Sequence, residues 1–280
     1  MDKGLRKRIY IDFFFKCIVF ILAMISVLPL ILILYHITRH GISAINWKFF
    51  TTLPSPPGEQ GGGILNALWG TFLLVTISFV MAVPLGILVG IFLSETKGRF
   101  TETVRVIVNI SQGMPSIVIG IIAYTWVVVP MGGFSALSGG VALAIMMLPI
   151  IVKNTEETLK LIPYSLKEAS YALGVNYTRT ILKVILPSAF SGIASGIVIA
   201  ISRIAGETAP LLFTAFGNPF LNFNILKPVD SLPLLIFNYA MSPYENWHQL
   251  AWGASFVLVA FILILNIGIK IARDIWNVQF

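Results

Sequence analysis

SRIAGETAPLLF, Ser202–Phe213, places two full charges in a run that is otherwise apolar or small from Ser188 to Phe216. Arg203 and Glu207 stand four residues apart in it. On an exposed helix such a pair contributes only about 0.2–0.5 kcal/mol, and cation before anion is the weaker order. In a membrane, one Arg at mid-depth costs about 2.5–3.5 kcal/mol on insertion scales. A surface-type pair does not offset that, so these charges must face a bundle interior or a watery path.

The composition makes the membrane reading the one to follow. The chain has 280 residues, 57% hydrophobic and 11% charged, with mean hydropathy +0.89. Soluble domains carry about a quarter charged residues. The sequence therefore predicts an all-α, polytopic membrane protein with one transmembrane domain over residues 1–280, too short to add a soluble enzyme. Runs of about 20 apolar residues mark spans. They fall at 17–38, 64–93, 106–129, 137–156, 188–213 and 250–269. The third and fourth share a charge-free tract, Val106–Val152, which VPMGGFSALSGG divides.

Lys and Arg collect on cytoplasmic loops. They crowd the N-terminus (Lys3, Arg6, Lys7, Arg8, Lys16), the stretch after the second span (Lys97, Arg99, Arg105) and the stretch after the fourth (Lys153, Lys160, Lys167, Arg179, Lys183), with Lys270 and Arg273 at the end. The other face has Arg39, Lys48 and Lys227. This predicts both termini in the cytoplasm. The net charge of +7 is then topology and lipid contact, not nucleic-acid binding. The N-terminal apolar run is longer than a signal peptide's and lacks a small-residue cleavage site, so it reads as an uncleaved span. Trp47, Trp126, Trp247, Trp252 and Trp276 lie near span ends and read as interfacial anchors. Cys17 is the sole cysteine, and His36 and His40 lack a third ligand, so neither a disulfide nor a metal site is expected. There is no GxxxxGK[ST] to bind ATP, and no cofactor motif.

The cytoplasmic loop 157–187 is patterned. Leu166, Ala169, Ala172 and Leu173 share one helix face. Pro163 can open that helix and Gly174 close it. Asn176 can cap a second helix with Ile181, Val184 and Ile185 on its apolar face, before the chain re-enters the membrane at Pro187. Two amphipathic helices joined at a glycine fit either a pair lying on lipid headgroups or a docking knob for a cytoplasmic partner.

EASYALG followed by VNYTRTILKVILP resembles the EAA loop of ABC importer permeases, which reads EAA, three residues, G, nine residues, I-x-L-P. Glu168, Ala169, Gly174, Leu186 and Pro187 match; Ser170 replaces the third small residue and Val184 the isoleucine. GGGILNALWGT (Gly61–Thr71), MPSIVIG (Met114–Gly120), LPIIVKNTEETLKLIP (Leu148–Pro163) and RIAGETAPLLFTA (Arg203–Ala215) resemble the phosphate importer permeases. The resemblance implies a type I permease fold in a prokaryotic plasma membrane. It implies no catalysis in this chain, a cytoplasmic ATP-binding subunit in two copies, a second related permease subunit and an external phosphate-binding protein. Glu168, Ala169, Ser170, Gly174, Leu186 and Pro187 would couple to the ATPase. Phosphate permeases carry the same Arg and Glu, so Arg203 and Glu207 would line the substrate path. A guanidinium fork fits phosphate oxygens, and Glu207 would hold Arg203 when the path is empty.

Gly113 and Pro115, and Gly206 and Pro210, can kink or gate their spans, while Gly120, Gly192 and Gly196 also suit close helix packing. With the fifth span starting near Ser188, Arg203 would lie about 22 Å from the cytoplasmic edge, past the midplane. Other readings remain open on these residues. They are a permease for another oxyanion or an amino acid, an ion-coupled carrier, and a membrane phosphate sensor.

Overall fold

The computed structural model describes residues 3–59 and 61–276. The side chains of Lys3, Arg6, Lys7, Arg273 and Trp276 lie outside the described set. A long helix α1 (Lys3–Ala44) and a short α2 (Trp47–Thr51) lead to α3 (Leu65–Glu95) and α4 (Arg99–Gly113). Helix α5 (Ser116–Ala123) runs through a π-turn into α6 (Val129–Met131), and α7 (Ala136–Lys160) follows. After α8 (Tyr164–Ala172), helix α9 (Tyr177–Thr180) passes through a second π-turn into α10 (Leu186–Ala205). Then come α11 (Ala209–Leu212), α12 (Leu232–Ala240) and α13 (Glu245–Trp276). Among the described residues, extended pairing is limited to two isolated bridges. Among the described residues, five helices are long and apolar enough to cross a membrane, and the bent pair Arg99–Gly113 and Ser116–Met131 passes the same test taken together.

Small residues let α3 and α7 meet closely. A Cβ on Gly86 would lie 2.7 Å from Ile151 Cγ2, and one on Gly90 would lie 2.6 Å from Thr155 Cβ. In return, Gly139 and Gly140 of α7 seat Leu74 and Ile77 of α3. Ser78 Oγ donates across the seam to Gly140 O at 3.0 Å. The paired numbers rise together, so the two helices run parallel. Their C-terminal ends share Arg105, which reaches Leu93 O and Glu156. Their N-terminal ends share the segment 213–231, where Asn218 O accepts from Asn66, and Ile225 O and Lys227 O accept from the first amides of α7.

The run 106–129 is not one straight helix. Helices α4 and α5–α6 meet at a bend of 107°. Met114 precedes a proline, which disfavours helical geometry, and it is extended at φ −69°, ψ 134°. Pro115 then opens α5.

The fifth apolar run also departs from expectation. Its helix begins at Tyr177, not near Ser188, and stops at Ala205. The second helix of the cytoplasmic loop is therefore the first part of the membrane helix, and Pro187 does not break it. A helical proline lacks its N–H and clashes with the carbonyl four residues back. The π-turn Ile181–Ile185 relieves this, with the Leu186 N–H bonded five residues back to Ile181 O. The same device, Tyr124–Val128, precedes Pro130.

Helix α10 packs antiparallel on α7. Gly192 faces Thr158, and a Cβ on Gly196 would lie 2.0 Å from Asn154 Oδ1. Gly113 has open space around its Cβ position. We predict that Gly196→Ala destabilises the α7–α10 seam by about 1–3 kcal/mol, read as a fall in thermal midpoint and membrane level. Gly113→Ala leaves both unchanged.

Candidate functional site

Two regions carry the residues of interest, one at each end of the helix Tyr177–Ala205. At the Tyr177 end, Pro163 caps α8, and Gly174 turns the chain at φ +75°. Its N–H bonds Tyr171 O, and the Val175 N–H bonds Ser170 O. Asn176 Oδ1 accepts from the Arg179 N–H at 2.9 Å and caps α9. Ser170 Oγ and Thr180 Oγ1 share a buried hydrogen bond of 2.8 Å between the two helices. Lys167 is paired with Glu95 at the end of α3.

The inward face of α8 is not the apolar stripe. Leu166, Lys167 and Ser170 turn inward, while Ala169, Ala172 and Leu173 are exposed beside Glu168. Leu173 is 84% exposed and Leu161, at the end of α7, 83%. Polar bonds settle this orientation: a lysine with a carboxylate to reach, and a serine with a hydroxyl to bond, turn the helix toward its own chain.

At the other end, α10 stops at Ala205, with Gly206 as its C-cap. Arg203 lies in the last turn, and Glu207 lies beyond the helix. Arg203 Nε is 3.7 Å from Glu207 Oε1, an ion pair too long for a hydrogen bond. The two side chains are 51% and 21% exposed. Extending the register of Gly192 with Thr158 and Gly196 with Asn154 brings Arg203 level with Met147, near the middle of α7. Beyond the break, Pro210 is buried, and a Cβ on Gly120 would lie 2.7 Å from Pro210 Cα. Pro210 thus seats α11 against α5, while Gly206 has its nearest neighbours at 3.8–4.0 Å. Asn266 of α13 donates to Ser202 Oγ at 3.0 Å, next to Arg203.

Residues 82–277 match the family model of the binding-protein-dependent transport system inner membrane component. The chain is 44% identical over 240 residues to the phosphate transport system permease protein PstA of Yersinia pestis, covering 85% of this chain and 81% of that one. It is 37% identical over 267 residues to the probable phosphate transport system permease protein PstA of Methanocaldococcus jannaschii, covering 95% and 94%. The chain belongs to the PstA branch of this permease family. It is a multi-pass protein of a prokaryotic plasma membrane. A bacterial alginate ABC transporter solved with a pentasaccharide-bound periplasmic protein has a similar fold, with TM-score 0.71 at 15% identity over 98% of this chain and 99% of that one. The MetNI methionine ABC transporter in an inward-facing form gives 0.58 at 22% identity over 76% and 93%.

Charged groups that sequence reasoning passed over complete the permease. Glu156, buried near the end of α7, accepts from Arg105 Nη2 at 2.8 Å and from Lys160 Nζ at 2.6 Å. Arg105 also pairs with Glu102. The Glu156–Lys160 spacing, anion four residues before cation, was a readable signal; the long-range partner Arg105 was not. Asp230, outside the spanning helices, is buried with Oδ1 accepting from the Ser231 N–H at 2.8 Å and Oδ2 from Asn66 Nδ2 at 3.2 Å. Burial pushes its carboxyl up to about 7, against the pull of those two donors.

Because the folded value lies above the unfolded one, near 3.8, Asp230 stabilises the fold fully below 3.8, and that contribution is lost as pH rises through about 7. We expect the thermal midpoint of the purified complex to fall between pH 5 and pH 8, and Asp230→Asn to flatten that fall. An equal slope in both proteins would show that Asp230 does not set it.

Proposed function

We propose that this chain is a transmembrane permease subunit of an ATP-driven inorganic phosphate importer. It forms half of a path completed by a second, related permease. A cytoplasmic ATPase, in two copies, drives it, and an external binding protein delivers phosphate. The relatives named PstA and the ABC permease neighbours support this reading.

In it the chain crosses the membrane six times, by α1, α3, the bent α4–α6 segment, α7, α9–α10 and α13, with both termini cytoplasmic. The parallel packing of α3 and α7 supports six, because the segment between parallel neighbours must travel back across once.

The observation that carries the reading is Arg203, half exposed at mid-height where its helix stops. A guanidinium at this depth does not face lipid alkane; a polar path shared with another chain accommodates it. Its loose contact with Glu207 leaves the fork free for an anion. Phosphate displaces the carboxylate, and Glu207 recaptures Arg203 after release. Gly206 and Pro210, with Gly113 and Pro115, form the breaks between rigid segments on which the path opens. Glu168, Ala169, Ser170 and Gly174 form the docking knob, and Leu186 and Pro187 continue it into the membrane helix.

Arg203→Gln should lower phosphate uptake by about ten- to a hundredfold, the loss of a charge-assisted contact of about 1.5–3 kcal/mol. The test is radiolabelled phosphate uptake in cells lacking other phosphate importers, at matched membrane levels. Unchanged uptake would overturn the path assignment. Glu168→Arg should separate ATP hydrolysis from uptake while the subunit stays in the membrane; normal uptake would remove the docking role.

A further inference from the structure

Beside the apolar cluster that takes in Leu166 of α8 with Ile87 and Ile91 of α3, the knob has one charged tie to α3. Lys167 precedes Glu168 in α8, and its ammonium is paired with Glu95, the last residue of α3. The two side chains are 15% and 11% exposed, so both charges are largely withdrawn from water. Among the described residues this is the one ion pair joining α8 to the rest of the chain. Ser170, one turn further along the same face, is tied to Thr180, so α8 and the start of the helix Tyr177–Ala205 are held to each other. The Arg105–Glu156–Lys160 cluster joins α4 to α7 and does not involve α8.

An apolar contact tolerates sliding. A charge largely removed from water does not readily part from its partner, because the separated charge stays poorly solvated. When α8 moves, Glu95 must follow. Glu95 ends a helix that is seated along α7 from Leu74 to Gly90, and α7 is the helix against which the Arg203-bearing helix packs. We propose that Lys167 and Glu95 are a positioning pair that carries movement of the docking knob into α3, in parallel with the continuous helix that leads to Arg203. The proposal rests on the functional reading above. Neither residue belongs to the loop motif or to the proposed path.

The test uses the whole complex in proteoliposomes with its loaded external binding protein. Phosphate uptake, ATP hydrolysis and retention of the ATPase subunit are measured for Lys167→Glu, Glu95→Lys, the exchanged double variant and Lys167→Arg. The single reversals are expected to keep the ATPase subunit and its hydrolysis while phosphate moved per ATP falls by about tenfold, within the usual range of coupling between sites. The double variant should recover most of that ratio, and Lys167→Arg should retain it. The proposal is overturned if the single reversals leave the ratio unchanged, or if the exchange stays as poor as they are. It is also overturned if the singles lose the ATPase subunit, whether or not the exchange restores it, because the pair is then a folding or docking contact. A wild-type complex whose ATPase responds to another substrate and not to phosphate would overturn the functional reading alone, and the pair would be scored on that substrate.

Discussion

The close approach of α3 and α7 is the constraint on which the other placements depend. Lipid offers no hydrophobic drive between helices, so association there rests on dispersion contact and polar bonds across a close seam. The two helices provide that seam reciprocally. Gly86 and Gly90 receive Ile151 and Thr155, and Gly139 and Gly140 receive Leu74 and Ile77. The Ser78 hydroxyl on Gly140 O pins the register toward the N-terminal end of the seam. With the register set and the helices parallel, their C-terminal ends lie side by side. That is why one arginine, Arg105, can satisfy a carbonyl of α3 and a carboxylate of α7.

Helix α10 is then placed by α7, and this ties the two ends of the molecule together. The continuous segment Tyr177–Ala205 has 29 residues, a length of about 43 Å at 1.5 Å per residue. The π-turn before Pro187 accommodates its ring, and the rod continues. At its far end, Arg203 lies in the last turn, where unsatisfied carbonyls carry partial negative charge. That field favours a cation there. It also explains how Arg203 can stand without a hydrogen-bonded carboxylate, with Glu207 at 3.7 Å and beyond the helix.

Much of this was legible in the sequence because periodicity and composition are local properties. The membrane helices, the cap at Asn176 and the turn at Gly174 follow from residue type and spacing. What escaped reading depends on distant partners. Residue type alone does not tell a proline that breaks a helix from one carried within it: Pro115 follows a bend, while Pro187 lies inside the helix Tyr177–Ala205, which stops short of the end of its apolar run. Lys167 and Glu95 are 72 positions apart and belong to no motif. Nothing in a 3.6-residue period says that a lysine will outrank a stripe of alanines and leucines for the inward face.

That outcome bears on the two roles the loop pattern allowed. A helix lying on headgroups turns its apolar side to the acyl chains and its charges to water. Here Glu168 stands among the exposed Ala169, Ala172 and Leu173 on the outward face, and Lys167, the cation that anionic lipid would attract, is turned inward to Glu95. On α8 itself the outward charge is therefore a carboxylate, which anionic lipid does not attract; the exposed cations Arg179 and Lys183 belong to the helix that follows. The outward face of α8 suits a protein groove, where apolar side chains can be enclosed and one carboxylate can meet a positioned donor. The inward turn of Lys167 is what fastens α8 to α3.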